Sequence, residues 1–213
     1  MRTIAVLVLA LALAGCGGAG RAHGTATLWV TRDRGTQVLF AGSVPAGLNG
    51  IQALERRLKV TTRYGGRYVQ SIAGVEGSLG AERDWFYFVN GIEGNRSAAE
   101  VRLRPGDVEW WDYRSWAHGQ MSVPVVVGAW PKPVFGRAAV VAADAGARGA
   151  AQALARSIHA VARGTDRVVV TSKHVVFRGG THGSSVWFEI SAADALRLAR
   201  DPRLARHRYE GIG

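Results

Sequence analysis

Two aromatic segments constrain the fold of this chain more than any other feature of its sequence. WFYFV at 85–89 runs into Asn90-Gly91, and VEWWDY at 108–113 follows Pro105-Gly106-Asp107. Asn-Gly and Pro-Gly-Asp favour tight turns, so the ring-rich segments beside them are predicted to be strands. Because side chains alternate along a strand, each segment carries rings on both faces. A sheet built from them needs a cover on each side, or it leaves an aromatic surface exposed.

The neighbouring segments predict further strands in the same unit. Apolar stretches at 25–30 and 38–40 lie on either side of the turn-like Asp33-Arg34-Gly35, which indicates an opening hairpin. Additional strands are predicted at 68–72 and 101–103. The sheet therefore has more strands than the two aromatic ones.

One helix is predicted between the hairpin and those later strands. Ile51, Leu54 and Leu58 share a helical face, and Asn49 or Ser43 is available as the N-cap. This face is expected to cover one side of the sheet.

A second unit begins near Met121, after a stretch that breaks the strand pattern. Its predicted strands are at 123–127, 138–142, 167–171 and 184–190, with a helix at 147–163. Ser191 and Asp194 resemble a capping box that opens a last helix, which stops before Pro202. The chain is therefore predicted to divide into a first domain at 25–117 and a second, α+β or α/β-sandwich-like domain at 121–213.

The only cysteine, Cys16, follows an apolar run at 4–14. That run is too short to span ~30 Å of hydrocarbon as a helix, so residues 1–15 are predicted to be a secretion signal. LAGC at 13–16 resembles the bacterial lipobox, whose cysteine is acylated and becomes the new N-terminus. Residues 16–24 are then a lipidated cysteine and a glycine-rich tether, with membrane lipid as a partner. The alternative is an ordinary signal peptide with an incidental cysteine.

The charge of the chain argues for a secreted basic protein rather than a nucleic-acid-binding one. It has 27 Lys and Arg against 16 Asp and Glu, for a net charge of +11. Nearly all the basic residues are Arg, without a basic block, and the three lysines are Lys59, Lys132 and Lys173. We expect attraction to anionic lipid headgroups or to a wall polymer instead.

Three segments together carry a family resemblance: GRYVQSIAGV at 66–75, DWFYFVNG at 84–91 and VRLRPGDVEWWDY at 101–113. They resemble the domain that closes the vitamin B12 carriers transcobalamin and intrinsic factor, and that occurs alone in bacterial lipoproteins. The pattern of that family is an aromatic strand ending in Asn-Gly, a spacer, then Gly-Asp, an apolar residue and a second aromatic strand. The resemblance extends over about residues 25–115.

The resemblance implies a β-grasp-like N-terminal domain, so the expected fold class is α+β, with a small α+β domain following. It also implies cobalamin or a related corrinoid as a bound ligand, because in the carriers this domain caps one face of cobalamin against a separate helical domain. Only the capping half carries over to this chain. No cofactor is required, and a membrane uptake transporter is the partner to which a bound corrinoid would be delivered.

The candidate ligand-binding residues are the rings of one strand face and the turn beside them. Trp85 and Tyr87 alternate to one side of the first aromatic strand, and Trp111 and Tyr113 to one side of the second. Together with Asn90 they suit a flat macrocycle with amide arms, through stacking and a few hydrogen bonds. A cleft between the two domains, floored by the four rings, would favour ligand binding, whereas rings fully interdigitated with the second domain would favour an adhesion module. The alternative is that the rings are core or interface packing and that Asn90 is a turn residue.

Catalytic and metal-binding patterns have no specific support in the sequence. The histidines lack the H-E-x-x-H spacing, and no Gly-x-Ser-x-Gly elbow or dinucleotide-binding glycine motif occurs. His174 and His182 flank a Gly179-Gly180-Thr181 turn and could meet across a hairpin, but we predict no metal site and no enzyme. The expected function is that of a lipid-anchored binding protein on the outer face of the cell membrane. The alternative is a surface adhesion or protein-interaction lipoprotein without a small-molecule ligand.

Overall fold

The computed structural model describes residues 24–213, which we treat as an N-terminal half, 24–120, and a C-terminal half, 121–213. It contains helices together with several β-sheets, so the predicted α+β class is confirmed. The predicted signal at 1–15 and lipidation of Cys16 lie outside the described residues. No helix in the described range is long and apolar enough to cross a membrane.

The N-terminal half is built on a five-stranded mixed sheet in the order β2-β1-β8-β6-β7. The elements of this half are β1 Thr25–Arg32, β2 Gln37–Pro45, α1 Gly50–Glu55, β3 Val60–Arg63, β4 Tyr68–Ile72, β5 Val75–Glu76, β6 Arg83–Val89, β7 Ile92–Glu93 and β8 Val108–Ser115. The opening hairpin is confirmed, since β1 and β2 pair antiparallel, while β1 and β8 pair in parallel at the centre.

Helix α1 covers one face of this sheet and is shorter than predicted. Asn49 is the N-cap, and its side chain and that of Gln52 form a reciprocal capping box. Ile51 and Leu54 are buried against the sheet. The helix ends at Glu55, so Leu58 lies beyond it, where it packs at the edge of the same core.

A separate three-stranded sheet, β3-β4-β5, lies beside the main one. The strand predicted at 68–72 is therefore present, but it belongs to this smaller sheet. The strand predicted at 101–103 is wrong, since Arg102 makes only an isolated bridge to Asn49.

The C-terminal half contains a four-stranded sheet in the order β11-β12-β10-β9, with the two helices in contact with each other. Its elements are β9 Ala138–Ala142, α2 Arg148–Ser157, β10 Asp166–Thr171, β11 Arg178–His182, β12 Ser185–Ser191 and α3 Ala192–Arg200. The cap at Ser191 is confirmed, because its side chain accepts a hydrogen bond from the Asp194 amide. Helix α2 ends well before the predicted residue 163.

Two predictions for this half are wrong. Residues 123–127 form no strand, only a bridge between Val125 and Ile92 and the start of a 3₁₀ turn. The turn predicted at 179–181 lies inside strand β11, Arg178–His182, and the chain reverses at 183–184 instead.

The two halves share a buried aromatic cluster. Trp29, Phe88 and Trp110 from the main sheet pack with Tyr209 from the C-terminal segment. The Trp110 and Tyr209 ring centroids are 5.4 Å apart in an edge-to-face arrangement. One face of the main sheet therefore lies against α1 and the other against the C-terminal half.

Candidate binding site

The register of β6 and β8 brings the four predicted rings onto one face. Trp85 lies opposite Tyr113, and Tyr87 lies opposite Trp111. The Tyr87 and Trp111 rings stack with centroids 5.0 Å apart and an interplanar angle of 26°, and the Trp85 and Tyr113 centroids are 5.3 Å apart. This face packs with α1 in the core of the N-terminal half.

Three of these rings form the wall of a cavity of about 340 Å³. Trp85, Tyr87 and Trp111 line it from the sheet, and Ile51, Val69 and Ala98 line it from the opposite side. The volume is within the range of small-molecule pockets, roughly 300–1,000 Å³. The cavity is therefore not floored between the two halves: the rings face α1, because the opposite face of the sheet is the one covered by the C-terminal half.

The rings are held in fixed orientations by hydrogen bonds from their polar atoms. Trp85 Nε1 donates to the Val75 carbonyl at 2.9 Å, and the Tyr87 hydroxyl donates to the Arg96 carbonyl at 2.7 Å. Trp111 Nε1 donates to Glu109 Oε1 at 3.0 Å. Because these polar groups are already bonded within the protein, the rings offer the cavity mainly apolar surface for stacking.

Burial makes the phenol of Tyr87 harder to ionise than a free tyrosine. It raises the pKa of Tyr87 to about 12, and the nearby Glu109 adds to this shift. The hydroxyl therefore remains a hydrogen-bond donor to the Arg96 carbonyl across the physiological range.

Charged and polar residues surround the opening of the cavity. Arg67 pairs with Glu100, and Glu93 accepts hydrogen bonds from the Arg114 guanidinium and the Ser122 hydroxyl. Arg96 is exposed and forms no ion pair with another described residue. The Arg96 guanidinium is therefore available to a polar or anionic group of a ligand.

Tyr68 lines both this cavity and a second, exposed pocket, which Tyr64 also lines. Its hydroxyl donates to Asp84, and burial together with this hydrogen bond raises the pKa of Tyr68. Tyr64, which is 77% exposed, packs edge-to-face against Tyr68 with centroids 6.0 Å apart. Aromatic surface thus continues from the cavity out to solvent.

Glu109 is a buried acid directly behind the cavity wall, and sequence reasoning missed it. Its side chain is completely buried, with Oε1 bonded to Trp111 and Oε2 without a hydrogen-bond partner. Burial raises the pKa of Glu109 to about 8. Gly50 packs closely against it, since a Cβ at position 50 would lie 2.2 Å from Oε1 and would displace the carboxyl group. The signal available in the sequence was an acid spaced by two from Trp111 and by four from Tyr113, which places it on their face of an aromatic strand.

Asn90 occupies the turn between β6 and β7 and not the cavity. Its φ of 52° is in the left-handed region. Its Nδ2 donates to Asp107 Oδ1 at 2.8 Å, and its Oδ1 accepts from the Val108 amide at 2.9 Å. Both polar atoms of the side chain therefore join this turn to the start of β8.

Tyr113 supports the site without lining the cavity. Its hydroxyl donates to the Glu76 carbonyl at 3.0 Å. The guanidinium groups of Arg83 and Arg32 lie 5.0 and 5.5 Å from its ring centroid. The ring buttresses Trp85 from the side away from the cavity.

The opposite face of β8 carries a second buried carboxylate, Asp112. It accepts hydrogen bonds from the Thr31 hydroxyl at 2.5 Å, the Arg34 and Gly35 amides at 3.0 and 3.1 Å, and the Tyr209 hydroxyl at 3.0 Å. Burial and the Asp112 charge raise the pKa of Tyr209. This network joins the C-terminal segment to the main sheet.

No group of three or more His, Cys, Asp or Glu side chains in residues 24–213 is arranged to hold a metal ion. His174 is exposed in the loop before β11, and His182 is exposed at the end of that strand.

Comparisons with known proteins match part of the chain. A family model described as "Domain of unknown function (DUF4430)" matches residues 48–115, which include α1, β6 and β8. No curated protein matches the chain.

Two solved structures are similar to part of the chain at low identity. One is a putative metal binding protein from Ruminococcus gnavus, with 14% identity and a TM-score of 0.35 over 43% of this chain and 97% of that one. The other is haptocorrin in complex with Cbi, with 14% identity and a TM-score of 0.36 over 42% of this chain and 24% of that one. The matched region thus spans about a quarter of haptocorrin.

Proposed function

We propose that the protein binds a small molecule in the cavity lined by Trp85, Tyr87 and Trp111, and that it is a binding protein rather than an enzyme. The observation that carries this proposal is an apolar cavity whose three rings are fixed by hydrogen bonds to the protein. A wall with this geometry binds flat or aliphatic groups without having to reorganise, which lowers the entropic cost of binding.

The ligand class that we propose is a corrinoid, which the resemblance of residues 25–115 to the B12-carrier domain implies. A corrin macrocycle with its amide arms is larger than the cavity, so the cavity would hold one edge or one arm. The macrocycle would then extend over the opening, where Arg96, Tyr68 and the exposed Met121 lie. Amide arms are hydrogen-bonding groups that suit such a polar rim.

The compartment that we propose is the outer face of the cell membrane. The lipobox-like LAGC at 13–16 supports lipidation of Cys16, and the first described strand begins nine residues later, at Thr25. A corrinoid held there would be passed to a membrane uptake transporter.

Titration of residues 17–213 with cyanocobalamin and its precursors tests the proposal, with corrinoid absorbance and Trp fluorescence as readouts. Residues 17–213 include all of the described strands, helices and core residues, so we expect this fragment to retain the fold. We expect saturable binding with a Kd below about 100 μM, which corresponds to about −5.5 kcal/mol. Absence of a saturable change up to that concentration would contradict the corrinoid assignment and leave the adhesion alternative.

A blocking variant locates the ligand. Met121 is 56% exposed and lines the opening, so Met121→Trp adds bulk there without entering the core. Val38→Trp places the same ring at a similarly exposed position on edge strand β2, away from the cavity. We expect Met121→Trp to weaken binding at least about tenfold, or about 1.4 kcal/mol, and Val38→Trp to leave it unchanged. Equal affinities would place the ligand elsewhere.

A further inference from the structure

The net charge of the chain is unevenly distributed between its halves. Residues 24–120 contain 12 basic and 10 acidic residues, whereas residues 121–213 contain 13 basic and 6 acidic ones. Five arginines lie within a single short stretch, from the end of α3 to the C-terminal segment: Arg197, Arg200, Arg203, Arg206 and Arg208. The net positive charge is therefore largely a property of the C-terminal half.

Part of this charge gathers along the boundary between the halves. A groove of about 210 Å³ there is lined by Lys132, Arg203 and Arg206, with Trp29 of β1 among its other lining residues. A second groove of about 580 Å³ is lined by Arg206 and Arg208 together with Arg34, and by a single acidic residue, Glu210. Because Arg206 belongs to both, the two grooves form one continuous surface. We define the cationic surface as Lys132, Arg203, Arg206 and Arg208.

Three of these four side chains are not neutralised by the protein. No carboxylate lies within ion-pair distance of Lys132, Arg206 or Arg208 in the described part of the chain. Arg203 pairs with Asp201 while remaining largely exposed. The Arg206 guanidinium lies 5.6 Å from the Trp29 ring centroid, a cation–π contact that positions the side chain without removing its charge.

The cationic surface lies next to the point at which the chain begins its first strand. The Gly106 amide donates to the Thr25 carbonyl at 2.8 Å, and a Cβ placed at Gly106 would be 3.4 Å from Lys132 Nζ. Thr27, two residues further along β1, lines the smaller groove. Gly24 is eight residues after Cys16, a distance of at most about 28 Å in extended chain.

We propose that the cationic surface rests on anionic phospholipid headgroups of the membrane to which Cys16 would be anchored. Its charge is complementary to such headgroups, and its position beside Thr25 places it on the side from which the tether arrives. The inference goes beyond ligand binding, because it fixes the orientation of the protein. The cavity lies on the other face of the main sheet and would open away from the bilayer.

Co-sedimentation of unlipidated residues 17–213 with vesicles tests this orientation directly. We expect binding to vesicles containing phosphatidylglycerol at low ionic strength, little binding to pure phosphatidylcholine vesicles, and release as salt is added. Soluble polyphosphate serves as a third arm, because a wall polymer offers similar phosphate charge. The chain tested carries neither lipid nor corrinoid, so failure here leaves the cavity proposal standing.

Matched double variants separate a specific surface from net charge alone. The double variant Lys132→Gln, Arg206→Gln removes two charges from the cationic surface. The double variant Arg56→Gln, Lys59→Gln removes two charges from exposed positions just after α1, on the other side of the sheet. We expect the first pair to lower the partition coefficient about 30-fold, or about 1 kcal/mol for each charge, and the second to change it less than twofold. Thermal unfolding is measured to check that each variant is folded. Lys132→Gln alone, at an exposed site, is expected to lower the partition coefficient about fivefold.

Three results would overturn the proposal. Equal losses for the two double variants would indicate attraction by net charge alone. Binding to polyphosphate without binding to phosphatidylglycerol vesicles would indicate a polymer partner. Absence of binding to anionic vesicles at low ionic strength would remove the membrane surface altogether.

Discussion

The two faces of strand β8 differ in the packing of their tryptophans and in the hydrogen bonding of their buried carboxyl groups. Trp111 and Glu109 face α1, where Trp111 borders a cavity and one oxygen of Glu109 lacks a partner. Trp110 and Asp112 face the C-terminal half, where Trp110 is completely buried and Asp112 accepts four hydrogen bonds. The buried carboxyl group on the face that joins the halves has its hydrogen-bond partners, whereas the one on the face toward α1 lacks a partner for one oxygen.

This difference separates structural packing from a candidate binding surface. A buried carboxylate with several donors stabilises the fold, whereas one with a single donor is costly to ionise. A buried carboxylate with few donors and a cavity beside aromatic rings are expected where a protein serves a ligand at some expense of stability. The α1 face is therefore the one on which we propose binding, and the other face holds the two halves together.

The largest expected effect comes from removing the satisfied carboxylate. Asp112→Ala leaves the Thr31 and Tyr209 hydroxyls and two backbone amides buried without an acceptor. We expect a loss of about 3–5 kcal/mol in the free energy of unfolding, measured by urea denaturation. Glu189→Ala, which breaks the exposed pair with Arg178, is the control and should cost less than about 1 kcal/mol. Similar losses for both would contradict the role of Asp112.

Glu109 predicts a stability that falls as pH rises. Its pKa is about 8 in the folded protein and near its ordinary value of 4.5 when unfolded, so the folded state holds the proton more tightly between these values. Stability should fall by up to about 1.4 kcal/mol per pH unit in that window, or roughly 2–3 kcal/mol from pH 6 to pH 8, and level off above it.

Glu109→Gln should abolish this part of the pH dependence, measured as free energies of unfolding at pH 6 and pH 8. Glu82→Gln, at an exposed carboxylate, should retain the slope of the original protein. A slope that persists unchanged in Glu109→Gln would show that Glu109 ionises normally.

The tyrosine hydroxyls on the two faces offer a closer comparison. Tyr209→Phe removes a hydrogen bond to the Asp112 carboxylate, and Tyr87→Phe removes one to a backbone carbonyl. We expect the first to cost about 2 kcal/mol and the second about 1 kcal/mol in thermal or urea unfolding, because bonds to charged groups are stronger. The reverse order would contradict the view that the Asp112 network holds the halves together.

The smallest effect is expected at Asn90, and it separates a turn from a ligand contact. Asn90→Gly keeps the positive φ while removing the bonds to Asp107 and Val108. We expect a loss of about 1 kcal/mol in stability and no change in corrinoid affinity. A weakened affinity with unchanged stability would make Asn90 a binding residue after all.

The sequence predicted the two aromatic strands and their alternation correctly but not which face would be covered by which layer. Period-two alternation puts Tyr87 and Trp111 on one face, and the structure confirms this pairing. The cover on the other face includes Tyr209, which is 97 residues from its partner Asp112. No local pattern indicates a contact over that distance, so the sequence does not show which face the C-terminal half covers.

Local composition misled two strand predictions for physical reasons. Val123 to Val127 is apolar because its residues are largely buried, but Pro124 has no amide to donate to a sheet. Gly179 and Gly180 look like a turn, yet they pair with β12, where the Phe188 and Trp187 rings lie over them. A Cβ at either glycine would come within 2.6 Å of a ring atom, so glycine is required by packing.

Adjacent tryptophans on β8 provide the most direct test of the division between the two faces. Trp111→Phe and Trp110→Phe make the same chemical change on opposite sides of one strand, and both variants are titrated with cyanocobalamin and unfolded in urea. The account predicts at least about tenfold weaker binding for Trp111→Phe, and a larger loss of stability with affinity within about twofold for Trp110→Phe. Equal affinities for the two variants, or weaker binding only in Trp110→Phe, would contradict it.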